Sequence, residues 1–339
     1  MDDCLIIGAG LAGLACARRL HGSAVTVIDK GRGLGGRMAT RRTGGGVFDT
    51  GAQFFSARST AFRSEVAAWQ AAGICRPWAD GVLDPDLRMQ SDGLVRYRCD
   101  QGMTRIPKLM AEGLSVRTGV EIRALAVRDG AWTATATDGG ELTARALVCT
   151  APVPQTLKLL AAGGTVLPAP VADRLAGVAY DPCLCLLLDY PGAGAAALPA
   201  PGALRSDDEA EPVRWVLSHR AAGMRREGEG LTVHLRGSWS APRYPAPTAP
   251  DEPLRSECWE AVRAALARWC GPGWGEPALI ELKRWKFAHC ATPLAEPCLA
   301  VDCGAPLVLA GDAFGAAPRV EGAWLSGTAA ADAVRAAIG

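Results

Sequence analysis

The hydrophobic pattern opens with a short apolar run, Cys4-Leu5-Ile6-Ile7, followed by a glycine turn. After the turn, Leu11, Leu14, Ala15, Ala17 and Leu20 recur at helical spacing, and a second apolar run, Ala24 to Ile28, ends on Asp29. This order predicts strand, helix, strand. Phe62, Val66 and Trp69 predict a helix over Thr60 to Ala72, and Ile106, Leu109 and Met110 another after Gly102-Met103. Between them, residues 74–98 read as turns and short strands, with Asp80-Gly81 and Asp92-Gly93 as turn signals. Val116–Leu125, Trp132–Thr137 and Leu142–Thr150 alternate apolar and polar positions around Asp129-Gly130 and Asp138-Gly139, which predicts an antiparallel meander.

The pattern changes after residue 156. Apolar strands are expected at Leu184–Leu188 and Leu231–Leu235, and a helix from Leu254 to Cys270. Two Pro-rich stretches, Pro191–Gly202 and Pro242–Pro253, read as lids or, more simply, as surface loops. Near the far end, Leu307 to Ala310 reads as a buried strand and Gly322 to Ile338 as a final helix. The expected fold is α/β: a Rossmann-like nucleotide-binding domain built from residues 1–60, 98–155 and 296–339, with a second, mixed α+β substrate domain from residues 61–97 and 156–295.

Composition narrows the function classes. A chain of 339 residues with 49% hydrophobic and 21% charged residues can bury a full core, with about two domains as the prior. The net charge of +1 gives no electrostatic case for a nucleic acid or an anionic membrane. No apolar stretch reaches the roughly 18 residues that span a bilayer, and the first strand follows Met1-Asp2-Asp3 at once, so cytoplasmic residence is expected. The 12 cysteines form no CxxC pair and no zinc-spaced cluster. They read as small, reduced, buried hydrophobes, and no metal site is expected.

The turn after the first strand, Gly8-Ala9-Gly10-Leu11-Ala12-Gly13, has dinucleotide-fingerprint spacing. Gly8 permits the turn, Gly10 lets a pyrophosphate approach the backbone, and Gly13 lets the helix pack on the strand. The helix head offers N–H groups to phosphate oxygens. Asp29 stands about 20 residues on, where a carboxylate can accept from a ribose diol. The fingerprint leaves NAD and FAD equally open. Further glycine-rich elements follow: Asp29-Lys30-Gly31-Arg32-Gly33-Leu34-Gly35-Gly36-Arg37, then Phe48-Asp49-Thr50-Gly51-Ala52-Gln53, and late in the chain Gly311-Asp312 and Arg319-Val320-Glu321-Gly322-Ala323.

Together these elements resemble the FAD-dependent amine oxidase superfamily, whose fold is of the amine oxidase/p-hydroxybenzoate hydroxylase type. GGRMATRR, GAQFFSAR and RVEGAWLSG look like its renalase branch. The resemblance implies noncovalent FAD held by Gly8, Gly10, Ala12, Gly13, Asp29, Lys30, Gly36, Arg37, Gln53, Phe54, Asp312, Val320, Glu321, Gly322 and Ala323, with Ile122 on a strand whose backbone meets the adenine. It places Gln53 and Phe54 near the reacting ring. The last helix would point its N–H groups at the charge that gathers on reduced flavin. Glu321 reads as a first-turn acid complementing the helix dipole rather than as a catalytic acid.

On the substrate face, Gln53, His234 and Trp285 are the candidate catalytic residues, with Trp215, Trp239 and Arg284 as possible neighbours. Lys286 resembles the lysine beside the flavin in some amine oxidases, and Phe287 stands where a tyrosine is expected in the branch. The resemblance implies a small-molecule substrate, a dihydronicotinamide dinucleotide isomer carrying its hydride at ring position two or six. Hydride transfer to the flavin would yield NAD(P)+, and O2 would reoxidise the flavin with release of H2O2. The alternatives are an amine oxidase or desaturase, and a non-catalytic FAD-binding protein. The sequence fixes no oligomeric state.

Overall fold

A computed structural model describes residues 1–44, 46–192, 197–225, 227–244, 251–315 and 319–339, so parts of both Pro-rich stretches lie outside the described residues. The chain divides into two units. The first comprises Met1–Met38, Thr104–Ala179 and Cys290–Gly339, and the second Ala39–Met103 and Tyr180–His289.

The first unit is built on a mixed sheet with a parallel centre, to which Leu299–Asp302 adds an antiparallel edge. Its strands run in the order Leu299–Asp302, Pro306–Leu309, Glu141–Cys149, Asp2–Ile7, Val25–Asp29 and Ser115–Thr118. Pairing is parallel between Ile7 and both Cys149 and Ile28, between Cys149 and Leu309, and between Asp29 and Thr118. The central strands are buried on both faces, which explains their continuous apolar runs. The meander forms from Ile122–Arg128, Ala131–Ala136 and Glu141–Cys149, but its expected first strand, Val116–Leu125, is two: Ser115–Thr118 pairs parallel with Val25–Asp29, and the meander begins only at Ile122. Its first turn has Asp129 and Gly130 at φ of 51° and 73°, the left-handed pair that a two-residue hairpin requires.

Helix Leu11–Arg19 packs on the sheet with Cys16, Ala17 and Leu20 against Ile6 and Val27. Helix Val320–Ile338 joins the same core through Ala330, Ala331 and Val334. The two helices meet backbone to backbone: a Cβ on Gly327 would lie 2.1 Å from the Ala12 carbonyl oxygen. All 12 cysteines are free, as their reading as reduced hydrophobes expects. Burial pushes the thiols of Cys149 and Cys183 up to about 12, which keeps them unreactive.

The second unit carries a sheet ordered Leu279–Cys290, Tyr180–Tyr190, Glu229–Leu235, Val213–Ser218, Ala203–Arg205, Arg76–Leu83, Met89–Arg98 and Phe55–Ser56. The strand period of two sorts its residues. Leu184, Leu186, Leu188, Leu231, Val233 and Leu235 pack with Trp259 and Val262 of helix Glu252–Cys270. Cys183, Cys185 and Leu187 face the other way, toward Phe48 and Trp285. Helix Thr60–Ala71 is capped by Ser59, whose Oγ accepts from the Phe62 N–H at 3.3 Å, a cap worth about 1 kcal/mol. Its buried face is Phe62, Val66 and Trp69, as the spacing predicts.

All four junctions differ from the sequence expectation, and residues 290–295 group with the first unit. Residues 39–60 and 98–103 group with the second unit because Phe48 packs on Cys185 and Leu187 and Phe55 pairs with Tyr97. Residues 156–179 group with the first, where Thr165 Oγ1 donates to Leu125 O at 2.9 Å and Gly163 sits against the same carbonyl. Residues 74–98 form one long hairpin rather than short strands. Asp80-Gly81 and Asp92-Gly93 lie inside its strands. The turn is at Asp84, whose carboxylate accepts from the N–H groups of Asp86 and Arg88 and from Gln90 Nε2.

Asp49 is buried within the second unit. One of its oxygens accepts from Thr40 Oγ1 at 2.6 Å and from Met103 N–H at 2.8 Å. Burial outweighs those bonds and the nearby Arg98, and raises the carboxyl from 3.8 to about 6.

Candidate functional site

The fingerprint turn in the first unit forms an open cradle. Gly8 has φ of +113°, and any side chain there would meet Thr150 Oγ1 at 2.4 Å. A Cβ on Gly13 would lie 2.0 Å from Gly8 O, so helix and strand touch directly. Gly10 differs: among the described residues, its chain neighbours apart, no atom lies within 4 Å of the Cβ position, and the only one so placed at Gly36 is the Gly10 Cα, at 3.8 Å. The helix begins without a side-chain cap and without an acid in its first turn, and its first internal bond runs from Leu14 N–H to Gly10 O. The leading N–H groups at Leu11, Ala12 and Gly13 therefore face a space that none of the described residues fills at Gly10. A pyrophosphate fits this donor set and this gap.

Around the cradle, Asp29 has a specific local task. Its Oδ2 accepts from Ala9 N–H and its Oδ1 from Gly31 N–H, both at 2.7 Å. The carboxylate thus clamps the fingerprint turn to the second glycine-rich segment, leaving its remaining lone pairs for a ribose. Lys30 is exposed beside it. Ile122 is buried in the meander, and Val120 N–H reaches Asp29 O at 3.0 Å, which brings that strand beside the cradle. Arg37 pairs with Asp312 in a two-pronged ion pair. Asp312 follows strand Pro306–Leu309 and Gly311, whose N–H is held by Ser326 Oγ at 2.8 Å.

The last helix starts at Val320, two residues earlier than the pattern predicts. Ala323 N–H donates to Arg319 O at 2.9 Å inside the helix, so the leading N–H groups shift back to Val320 through Gly322. Glu321 stands in the first turn, where an acid complements the dipole. The boundary was misread because Val320-Glu321 carries no cap signature.

Gln53, Phe54, His234 and Trp285 all belong to the second unit. Thr50 O gathers two donors there: Trp285 Nε1 at 2.9 Å and His234 Nε2 at 3.1 Å. That bond makes Nε2 the protonated nitrogen and leaves Nδ1 as the acceptor. His234 sits opposite Cys185 and Trp215 on neighbouring strands. Gln53 is 4% exposed; its Oε1 accepts from Trp215 Nε1 at 2.5 Å, and its Nε2 lies 3.5 Å from His234 Nε2. Phe54 stacks at 5.3 Å from the Trp215 ring. Burial lowers the His234 pKa from 6.5 to about 4, only partly offset by its bond to Thr50, so the imidazole is neutral at physiological pH. The cluster is polar, aromatic and uncharged.

The structure thus brings together Gln53, His234 and Trp285 and adds Trp215 and the Thr50 carbonyl, a backbone group that no side-chain pattern announces. Trp239 is not among them. It lies in the short helix Gly237–Ser240, packs on the core beneath helix Glu252–Cys270, and stacks with Arg243 at 4.1 Å. Lys286 is exposed, 5.7 Å from the Phe287 ring, whereas Lys283 lies 5.0 Å from Trp285. Among the described residues no group of side chains could hold a metal ion, and no helix is long and apolar enough to cross a membrane.

Comparison with known proteins agrees with the fold. Residues 6–67 match the NAD(P)-binding Rossmann-like domain, and residues 62–335 match the flavin containing amine oxidoreductase family. Among solved structures, wild-type putrescine oxidase bound to putrescine superposes with a TM-score of 0.73 at 15% identity, covering 99% of both chains. A putative protoporphyrinogen oxidase from Exiguobacterium sp. 255-15 gives 0.74 at 14% identity over 98% of each chain. Cyclohexylamine oxidase from Brevibacterium oxydans IH-35A gives 0.69 at 16% identity, again over 98% of each. These likenesses establish the fold. The family match spans most of the sequence, and the open glycine cradle suits a dinucleotide cofactor; the chain belongs to the flavin-containing amine oxidoreductase family and is an FAD-dependent oxidoreductase.

Proposed function

We propose that this protein is an oxidase of renalase type, oxidising dihydronicotinamide dinucleotides whose hydride sits at ring position two or six. Supporting this reading is the uncharged cluster of Gln53, His234, Trp215 and Trp285. A dihydropyridine that gives up a hydride leaves as an aromatic cation and releases no proton. Its oxidation therefore needs no base, and a histidine whose pKa is about 4 is a poor one at neutral pH. An amine arrives as an ammonium ion and must shed a proton before it reacts.

The residues divide the work. Gly10, Ala12, Gly13, Asp29, Lys30, Gly36, Arg37, Asp312 and the head of helix Val320–Ile338 hold noncovalent FAD; Gly8 shapes the turn, and the strand at Ile122 backs the adenine. When bound, the FAD accepts the hydride and passes two electrons to O2, giving H2O2. Gln53, its amide fixed by Trp215, orients the substrate carboxamide. His234 offers Nδ1 as an acceptor. Trp285 and Phe54 flank the flat ring and exclude water.

A second reading, oxidation of a small amine, draws on the family and on the same aromatic side chains. One experiment decides. Purified yellow protein is mixed anaerobically with 2- and 6-dihydro-NAD, ordinary NADH and a panel of amines, and flavin bleaching is followed. Rapid bleaching by the isomers alone is expected. Bleaching by amines alone would refute the renalase-type reading.

A further inference from the structure

A cavity of about 350 Å³ in the second unit lies outside the cluster just described. It is an open site lined by Trp78, Asp80, Met89, Pro201, Ala221 and Ala222. Its lining joins an indole to small side chains, and the volume falls in the range of small-ligand sites. One buried cation ties Trp78 to Ala222. Arg98, 2% exposed, lies 5.9 Å from the Trp78 ring and donates through Nη1 to the Ala222 carbonyl. Burial lowers its pKa to about 10, so it stays charged at neutral pH. The cavity is therefore held in shape.

The cavity also connects to the reacting cluster. Trp78 lies 5.9 Å from the Phe54 ring, Phe54 lies 5.3 Å from Trp215, and Trp215 donates to Gln53. Arg96 sits 5.8 Å from Phe54, midway along this aromatic path. Both arginines are ion-paired, Arg96 with Asp92 at 3.1 Å and Arg98 with Asp100 at 3.3 Å, and among the described residues their buried Nε groups have no partner. A dinucleotide carries a second flat ring, joined to the first through two riboses and a pyrophosphate. An indole-lined site at one end of an aromatic path and an amide–imidazole cluster at the other suit that layout.

We propose, building on the renalase-type reading, that this cavity is a subsite for the adenosine half of the substrate. The adenine stacks on Trp78 beside Ala221 and Ala222. Asp80 accepts from the exocyclic amine or from the ribose hydroxyls. No covalent step takes place there; the subsite adds affinity and orients the reacting ring.

The test uses holoenzyme, with AMP as the binding probe and the 6-dihydro isomers of NAD and of nicotinamide mononucleotide as substrates. AMP is expected to bind, read by calorimetry. Ala221→Phe, which fills the site, and Trp78→Ala, which removes its indole, should each weaken AMP binding about tenfold and raise KM for the dinucleotide similarly. The limiting rate of flavin reduction should change less than about twofold, and KM for the mononucleotide should not follow the dinucleotide. Flavin content and melting temperature identify a variant that has failed to fold, and Ala221→Phe serves if Trp78→Ala does. Unchanged AMP and dinucleotide binding in folded Ala221→Phe overturns the subsite. If neither isomer bleaches the flavin, the renalase-type reading fails instead, while AMP binding that Ala221→Phe abolishes still supports an adenine-binding cavity.

Discussion

Trp215 Nε1 donates to Gln53 Oε1 at 2.5 Å, and this bond decides which way a buried amide points. With its oxygen engaged, Gln53 presents its NH2 on the His234 side. Trp215→Phe keeps most of the ring and removes the donor. The amide is then free to invert. Flavin reduction by a dihydronicotinamide isomer should slow by about tenfold to a hundredfold with flavin content unchanged, as expected when positioning alone is lost. Stopped-flow reduction measures this; an unaltered rate would show that the amide does not orient the substrate.

His234 sets the acid limit. Its folded pKa of about 4 lies below the ordinary 6.5, so between these values the unfolded chain takes up a proton that the folded protein refuses. Stability contributed by the neutral ring is complete above pH 6.5 and is lost progressively down to about 4. His219, buried and lowered to about 3, adds to the same slope. The rate of flavin reduction should stay flat from pH 8 to 5 and drop as His234 protonates. A kinetic pKa near 6.5 that disappears in His234→Asn would contradict this.

Two glycines of one fingerprint should behave oppositely. Gly13→Ala forces a Cβ to 2.0 Å from Gly8 O and should cost fold stability. Gly10→Ala meets no atom of the described residues within 4 Å beyond its chain neighbours, at a backbone of φ −78° and ψ 179° that alanine accepts. The apoprotein should melt as wild type does, while FAD retention falls. Absorbance at the flavin band against apoprotein melting temperature separates the two, and full flavin content in Gly10→Ala would argue against a pyrophosphate at this turn.

Asp49 should be better neutral than charged. Its carboxyl rises from 3.8 to about 6, so the folded state holds a proton across that window and stability declines as pH rises through it. Asp49→Asn keeps the oxygen that accepts from Thr40 and Met103 and removes the charge. Relative to wild type, the variant should gain about 1–3 kcal/mol between pH 4 and pH 8. Chemical denaturation at both values measures it; a greater deficit at pH 8 would reverse the sign.

Local chemistry was legible wherever the signal lay in adjacent residues. Gly8 to Gly13 and Asp29 mark a strand, a helix and a nucleotide cradle, Phe62, Val66 and Trp69 mark the buried face of a helix, and Asp129-Gly130 turns a hairpin. Other features depend on what a residue meets far away. Asp80-Gly81 is a turn signal that the hairpin overrides, because the Asp84 carboxylate gathers the turn's N–H groups instead. Trp215 and Trp239 look alike in sequence, yet one donates to Gln53 and the other packs beneath a helix. Thr50 enters the cluster through its carbonyl oxygen, which carries no side-chain signature.

The contact between Gly327 and Ala12 makes the glycine turn depend on a distant part of the chain. The strand at Pro306–Leu309 and the helix at Val320–Ile338 close the sheet beside Glu141–Cys149 and brace the fingerprint helix from the far side of a long sequence separation. A bulkier residue at Gly327 would therefore loosen a turn with which it shares no sequence neighbourhood, by pushing on the Ala12 backbone.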